Sequence, residues 1–247
     1  MAIMLFTDFG ANDLYVGQVK AVLDRYAPGV RVIDLLNEAP AFNPRASAHL
    51  LAALARQIPR GTVVLGVVDP GVGSTRDAVV LRADGRWYVG PDNGLFAVVA
   101  ARASTRTLWR VTAPPPGASV SFHGRDVFAP LAAAVATDDF PNESVEQATR
   151  LQVALPHEDL AEVIYVDHYG NAFAGLHATG VPQTARLAVG DMVVGHARVF
   201  AEAPRDTPFW YENSLGLVEV AVSGASAAER LGIGPGTPVS WVSAPAD

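Results

Sequence analysis

Two glycine-rich stretches carry the side chains best suited to chemistry. VVDPGVGSTRD, residues 67–77, contains Asp69 and Arg76, and FHGRDVFAP, residues 122–130, contains His123. A carboxylate and an imidazole can accept a proton, and a guanidinium can orient a water molecule or stabilise hydroxide. The simpler interpretation is that the acid is a turn residue and the histidine is structural, because Asp favours turns.

Two further polar clusters follow apolar runs. Asp8 comes shortly after IMLF (3–6), and Asp92 with Asn93 follows WYVG (87–90). In an open parallel sheet, ligands bind beyond the carboxyl ends of the strands. Together with Asp69 after TVVLGVV (62–68), these clusters favour one site at a sheet edge over three unrelated turns.

The elements that must position these residues alternate between strand and helix in the first part of the chain. We therefore predict an α/β fold, with an N-terminal α/β layered domain (1–150) built on a mainly parallel sheet. AVVLR and WYVG flank ADGR and predict a hairpin. Residues 151–159 are predicted to be a linker. Residues 160–247 contain mostly strand-like segments and predict a C-terminal all-β domain that is barrel-like.

Composition excludes several classes of protein. The chain has 247 residues, half of them apolar, and a formal charge of −7 with no Lys/Arg run, which argues against nucleic acid as a partner. The absence of cysteine excludes disulfides, thiolate metal sites and cysteine nucleophiles. No apolar run approaches the roughly 20 residues that span a bilayer, and the N-terminus lacks signal-peptide features. We expect a cytoplasmic protein that does not bind membranes.

Common nucleotide and metal motifs are missing. GVG at 71–73 lacks a third glycine and leads into a strand, so it does not match the dinucleotide-binding fingerprint. A metal site built from Asp8, Asp13, Asp69 and His123 is an alternative, but no close-spaced ligand pair such as HxxxH supports it. We therefore expect no metal site.

Six motifs occur in an order that closely resembles the S-adenosyl-L-methionine (SAM) hydrolases, also called SAM hydroxide adenosyltransferases. They are TDFGANDLYVGQVK, VVDPGVGSTR, PDNGL, FHGRDVFAP, VDHYGN and NSLGLVEVAVSGASAAERLG, and they extend from residue 7 to 232. These enzymes are the water-using relatives of the fluorinating and chlorinating SAM enzymes. The resemblance implies hydrolysis of SAM to adenosine and L-methionine, by in-line attack of an activated water on C5′ of the ribose and without a cofactor.

The resemblance also implies roles for individual residues. Asp69, Arg76 and His123 match the triad that holds and activates water. Asp8 matches the carboxylate that grips the ribose hydroxyls, and Phe42 and Phe122 match apolar walls. Asp167 and Ser214 match residues that hold the methionine amino and carboxylate ends, while Asn171 and Gly224 match adenine contacts. Relatives are homotrimers in which SAM lies between the N-terminal domain of one subunit and the C-terminal domain of its neighbour.

Three other functions are weighed against the hydrolase. They are a SAM- or adenosine-binding regulator without turnover, a SAM-dependent halogenase and a metal-dependent hydrolase of nucleotides. Halogenating relatives replace the Asp and His of the triad and carry serine at the position of Gly124, so His123 and Gly124 favour water as the nucleophile. Leu215 and Val222 stand where those relatives have arginines, so the contacts there differ.

Overall fold

The computed structural model describes residues 1–112 and 115–242. The chain divides into two compact units, Met1–His157 and Glu158–Asp247. The division falls inside the segment 151–159 that the sequence analysis predicts as a linker. In the described residues, no helix is both long and apolar enough to cross a membrane.

The first unit contains seven described strands and four described α-helices. Their bounds are β1 (Ala2–Thr7), α1 (Leu14–Tyr26), β2 (Arg31–Leu36), α2 (Pro44–Ala55), β3 (Val63–Val67), β4 (Ala78–Ala83), β5 (Arg86–Pro91), α3 (Ala97–Arg102), β6 (Arg106–Val111), α4 (Ala129–Ala136) and β7 (Val145–Ala148). The strands form one sheet in the order β2-β1-β3-β5-β4-β6-β7.

This sheet is mixed, so the prediction of a mainly parallel sheet was wrong. Pairs among β2, β1, β3 and β5 are parallel, whereas β5-β4, β4-β6 and β6-β7 are antiparallel. The physical cause is the turn between β4 and β5, where Asp84 and Gly85 both have positive φ values of 46° and 78°. Two such residues make the tight turn of an antiparallel hairpin, which reverses the chain within the sheet.

The parallel half of the sheet carries the core of this unit. β3 is buried along its whole length, as expected for a central strand. Helices α1 and α4 contribute to one apolar cluster that also contains Ile3 and Leu5 of β1. Asp13 caps α1 by accepting a hydrogen bond of 2.6 Å from the Leu14 N–H.

The second unit contains seven described strands and one short helix. Their bounds are β8 (Leu160–Val166), β9 (Ala172–His177), β10 (Arg186–Val189), β11 (Met192–His196), β12 (Pro208–Glu212), β13 (Leu217–Val222), α5 (Ala227–Leu231) and β14 (Val239–Val242). The sheet order is β14-β10-β11-β12-β13-β9-β8. The Val163 N–H donates to the Thr237 oxygen and the Gly236 N–H donates to the Val163 oxygen, each at 2.8 Å, so the two edges approach each other. The sheet is therefore nearly barrel-shaped.

Candidate active site

The predicted triad lies on two turns of the first unit that contact each other. Gly73 has a φ of +81°, and a Cβ atom at that position would lie 2.7 Å from the Val120 carbonyl oxygen. Glycine alone combines this backbone conformation with so close an approach. The turn that carries Asp69 and Arg76 therefore packs directly on the segment that leads to His123.

Asp69 and Arg76 form a nearly buried ion pair. Arg76 Nε donates a hydrogen bond of 2.7 Å to Asp69 Oδ1, and Arg76 Nη2 donates to Asp69 Oδ2. The Asp69 side chain is 5% exposed and the Arg76 side chain is 9% exposed. Arg76 Cζ also lies 5.2 Å from the centre of the Phe128 ring. The planar guanidinium matches the carboxylate at both oxygens, so the pair holds one geometry.

His123 completes the cluster as a neutral imidazole. Its Nδ1 lies 3.0 Å from Arg76 Nη2. Arginine can only donate hydrogen bonds, so Nδ1 accepts and the neutral ring carries its hydrogen on Nε2. Burial, and after it the Arg76 charge, lowers the pKa of His123 below the ordinary value of 6.5. At neutral pH the ring therefore offers an N–H group at Nε2.

A π-helical turn, Gly124–Phe128, follows the triad histidine directly. Arg125 pairs with Asp126, with 2.6 Å between Nε and Oδ1, and its Nη1 donates to Gln18 Oε1 of α1 at 2.9 Å. Asp126 Oδ2 also accepts a hydrogen bond of 2.9 Å from the Ser119 N–H. These bonds fasten the turn to α1 and to the loop before it, so the histidine has a fixed support.

Phe122 belongs to an aromatic cluster beside the triad. Its ring centre lies 5.7 Å from that of Phe9 and 5.3 Å from that of Tyr15. A Cβ atom at Gly124 would lie 2.8 Å from Phe9 Cζ. A larger residue at Gly124 therefore requires the Phe9 ring to move.

Asp8 lies at the same edge of the sheet as Asp69. The two residues follow neighbouring parallel strands, since Thr7 of β1 pairs with Val67 of β3. Burial raises the pKa of Asp8 above its ordinary value of 3.8, and the Asp69 charge adds to the increase. Asp8 Oδ2 accepts a hydrogen bond of 3.3 Å from the N–H of Phe42, a residue that is 79% exposed.

The third polar cluster, Asp92 and Asn93, contacts backbone segments next to the site. Asn93 Nδ2 donates a hydrogen bond of 2.7 Å to the carbonyl oxygen of Val68, the residue before Asp69. Asp92 is buried and accepts a hydrogen bond of 2.8 Å from the Gln152 N–H. Asn93 thus holds the start of the triad turn, and Asp92 binds the segment that follows β7.

The four site residues predicted in the second unit line one cavity of about 840 Å³. They are Asp167, Asn171, Ser214 and Gly224. Asp167 Oδ1 accepts hydrogen bonds from the N–H groups of Tyr169 (2.9 Å) and Asn171 (2.8 Å), and Asp167 Oδ2 accepts one from Asn171 Nδ2 at 3.1 Å. The turn after β8 is therefore built around the Asp167 carboxylate.

The same cavity contains polar residues that the sequence analysis did not identify. They are Tyr211, Asn213 and Glu219. Glu219 is only 3% exposed. The available signal was a single glutamate within LVEVAV, a strand whose other residues are all apolar. A charge at the centre of such a strand indicates a functional or compensated position.

The structure thus brings the predicted residues together as two groups. The first unit holds Asp8, Phe42, Asp69, Arg76, Phe122 and His123, and the second holds Asp167, Asn171, Ser214 and Gly224. Residues 1–112 and 115–242 contain no cluster of three or more His, Asp or Glu side chains arranged to hold a metal ion. Asp13, considered above as a ligand, is the cap of α1.

Comparisons with known proteins identify close relatives. A protein from Thermus thermophilus named (R)-S-adenosyl-L-methionine hydrolase is 41% identical, and the alignment covers 96% of this chain and 98% of the relative. A fluorinase from Nocardia brasiliensis is more distant, with 25% identity over 76% of this chain and 74% of its own. The crystal structure of an uncharacterized conserved protein from Thermotoga maritima matches with a TM-score of 0.87 and 28% identity, covering 98% of this chain and 100% of that one.

Two family models also match and together span most of the chain. The N-terminal domain model of the SAM hydroxide adenosyltransferases matches residues 3–145, and the C-terminal domain model matches residues 161–240. Because both models match and the Thermus relative aligns along nearly the whole length, the chain belongs to the SAM hydroxide adenosyltransferase family.

Proposed function

We propose that this protein hydrolyses SAM to adenosine and L-methionine. The observation that carries the proposal is the Asp69–Arg76–His123 cluster, in which a buried ion pair holds a neutral imidazole. The name of the Thermus thermophilus relative, (R)-S-adenosyl-L-methionine hydrolase, supports the same reaction. In this proposal neither a metal nor another cofactor takes part, the protein has no nucleic-acid partner, and it works in the cytoplasm.

The proposed step is a displacement at C5′ of the ribose. The water oxygen forms a bond to C5′ while the C5′–S bond breaks and its electron pair stays on sulfur. The sulfonium leaves as a neutral thioether, so no general acid is needed. One proton of the water is left over, and a base must accept it.

Asp69 is the proposed proton acceptor. Each of its oxygens accepts one hydrogen bond from Arg76 and keeps a further lone pair, whereas His123 Nδ1 is already occupied by the Arg76 contact. In this assignment His123 donates its Nε2–H to the water oxygen and orients it. Holding the water in line with the breaking bond can supply about 7–11 kcal/mol of the barrier reduction.

The remaining residues of the two groups would bind SAM. Asp8 accepts hydrogen bonds from the ribose hydroxyls, with Phe42 and Phe122 as apolar walls. In the second unit, Asp167 and Ser214 bind the methionine end. There, Asn171 and Gly224 contact the adenine.

We also propose a homotrimer in which one SAM contacts the first-unit group of one subunit and the second-unit cavity of its neighbour. The resemblance to trimeric relatives supports this assembly. Its test is co-expression of an Asp69→Ala chain with an Asp167→Ala chain, each of which is expected to have strongly reduced activity alone at subsaturating SAM. Recovered activity in the mixed oligomer supports a site shared between subunits, and a mixed oligomer without activity contradicts it.

The reaction itself is tested by product analysis. Purified, EDTA-treated protein is incubated separately with the (R) and (S) sulfonium epimers of SAM, with and without chloride or fluoride, and products are separated by chromatography. We expect equal amounts of adenosine and methionine, unaffected by halide. Formation of a 5′-halogenated adenosine would indicate a halogenase. SAM that binds but stays unchanged would indicate a regulator. Activity that is lost with EDTA and restored by metal would indicate a metal-dependent hydrolase.

A further inference from the structure

Glu219 is a buried carboxylate at the centre of β13. All six residues of this strand are buried, and Glu219 is the one that carries a charge. It lines the 840 Å³ cavity, and its cross-strand neighbours are Tyr211 of β12 and Phe173 of β9. Burying a charge destabilises the folded state unless other groups compensate it, so this position requires an explanation beyond packing.

Two neutral donors hold the carboxylate in one orientation. The Tyr211 hydroxyl donates to Glu219 Oε1, and Asn213 Nδ2 donates to Glu219 Oε2 at 3.0 Å. Asn213 Oδ1 accepts hydrogen bonds from the N–H groups of Leu215 (2.9 Å) and Leu217 (3.0 Å). Glu219 is thereby connected to the loop between β12 and β13, and each of its oxygens still has a free lone pair.

The cavity around Glu219 is rich in negative charge. Asp167 lines the same cavity, and burial together with the Asp167 charge raises the pKa of Glu219. None of the described residues that line the cavity is lysine or arginine. Arg205 approaches the rim at Gly224 but is exposed to solvent. Two carboxylates without a lining cation create an environment that favours a positively charged ligand group.

The position of Glu219 identifies which group of the ligand it would meet. In the proposed function, Asp167 and Ser214 bind the methionine end of SAM. Glu219 lines the same cavity as both residues, and its partner Asn213 directly precedes Ser214 in the chain. The α-ammonium at that end has three N–H donors and no acceptor. We propose that Glu219 is a specificity residue whose carboxylate selects ligands bearing the α-ammonium group of an amino acid. This inference rests on the proposed function.

The proposed contact lies away from the reacting atoms. The α-ammonium does not change when the C5′–S bond breaks, so its contact with Glu219 contributes equally to substrate and transition state. Such an interaction lowers KM and leaves kcat nearly unchanged. Loss of Glu219 is therefore expected to raise KM for SAM, in contrast to loss of a triad residue.

The test compares two thioethers that the enzyme does not hydrolyse. S-adenosyl-L-homocysteine carries the amino acid, and 5′-methylthioadenosine lacks it. By calorimetry, we expect Glu219→Gln to weaken binding of S-adenosyl-L-homocysteine about tenfold or more, the size of a lost charge-assisted hydrogen bond. Binding of 5′-methylthioadenosine is expected to stay nearly unchanged. Glu212→Gln, an exposed carboxylate on β12, is the matched control and is expected to affect neither ligand.

The pH dependence separates this role from a structural one. Tyr211 and Asp167 are the other titratable groups at Glu219. Because the pKa of Glu219 is raised above 4.5, wild-type affinity for S-adenosyl-L-homocysteine is expected to increase as pH rises through that pKa. Glu219→Gln is expected to remove this step. Tyr211→Phe removes a donor to the carboxylate and is expected to move the midpoint to higher pH.

The outcomes distinguish the inference from the proposed function. Equal weakening of both ligands by Glu219→Gln, or no change in either, overturns the inference while SAM hydrolysis by the wild type stands. If the wild-type protein neither binds S-adenosyl-L-homocysteine nor hydrolyses SAM, the proposed function itself is contradicted. If Glu219→Gln does not fold, Tyr211→Phe provides the test. If its pH midpoint for S-adenosyl-L-homocysteine affinity equals that of the wild type, the proposed role of Glu219 is contradicted.

Discussion

The contact between Gly73 and the Val120 carbonyl oxygen is where the two triad turns meet, and Gly73→Ala tests whether catalysis depends on it. The added Cβ atom would lie 2.7 Å from that oxygen, whereas ordinary van der Waals contact begins at 3.4 Å. The neighbouring atom is part of the backbone and cannot rotate away. One of the two turns must therefore move by the difference, about 0.7 Å.

This displacement sets the expected size of the effect. A misplacement of about 1 Å can reduce an enzymatic rate about 100-fold. A shift of about 0.7 Å, which separates Asp69 and Arg76 from His123, is thus expected to lower kcat by roughly 10- to 100-fold. Alanine in the left-handed backbone region also costs about 1–2 kcal/mol of folding free energy.

Gly29→Ala is the matched control, because Gly29 has a φ of +82° and no heavy atom within 4 Å of the added Cβ. Both variants pay the backbone cost, and only Gly73→Ala disturbs the triad. The assay measures thermal unfolding of each variant and then kcat at saturating SAM. If folded Gly73→Ala keeps the kcat of Gly29→Ala, the contact does not position the triad and the reasoning is refuted.

Three other predictions concern the first-unit group. Asp69→Ala and His123→Ala are each expected to lower kcat at least about 100-fold while SAM still binds by calorimetry, and near-wild-type turnover in both would contradict the triad. Asp8→Ala is expected to raise the Kd for SAM, because a ribose contact contributes equally to ground and transition states; an unchanged Kd excludes that role. Because the pKa of His123 is lowered, kcat is expected to fall with acidification only below pH 6.5, and a midpoint above that value would contradict the lowered pKa.

The sequence identifies candidate triad residues without specifying their geometry. Arg76 lies seven positions from Asp69 and 47 positions from His123, and no local pattern specifies the longer contact. The motif order pointed to the three residues, but the structure shows how they meet. Gly73 permits the close approach of the two turns, and such tertiary contacts are not encoded in local propensity.

The mixed sheet was missed for a related reason. The ADGR hairpin was recognisable, yet the hairpin alone does not determine which other strands β4 and β5 will pair with. Strand pairing depends on packing against cross-strand neighbours, which a single segment does not reveal. The sequence analysis did not identify Glu219, because the apolar residues of LVEVAV predict a buried strand and a single charged residue does not change that prediction.

The late closure of the second sheet has a consequence for the protein during its synthesis. β14 pairs with β10 through Val239 and Val189, and Thr237 joins the opposite edge at Val163. The ribosome has therefore produced every strand of the first unit long before the second sheet can close. A chain stalled ahead of β14 is expected to carry a formed triad in its first unit and an open, apolar sheet edge in its second unit. Because unpaired edges promote aggregation, such a nascent chain is a substrate for chaperones or proteases, not a partly active enzyme.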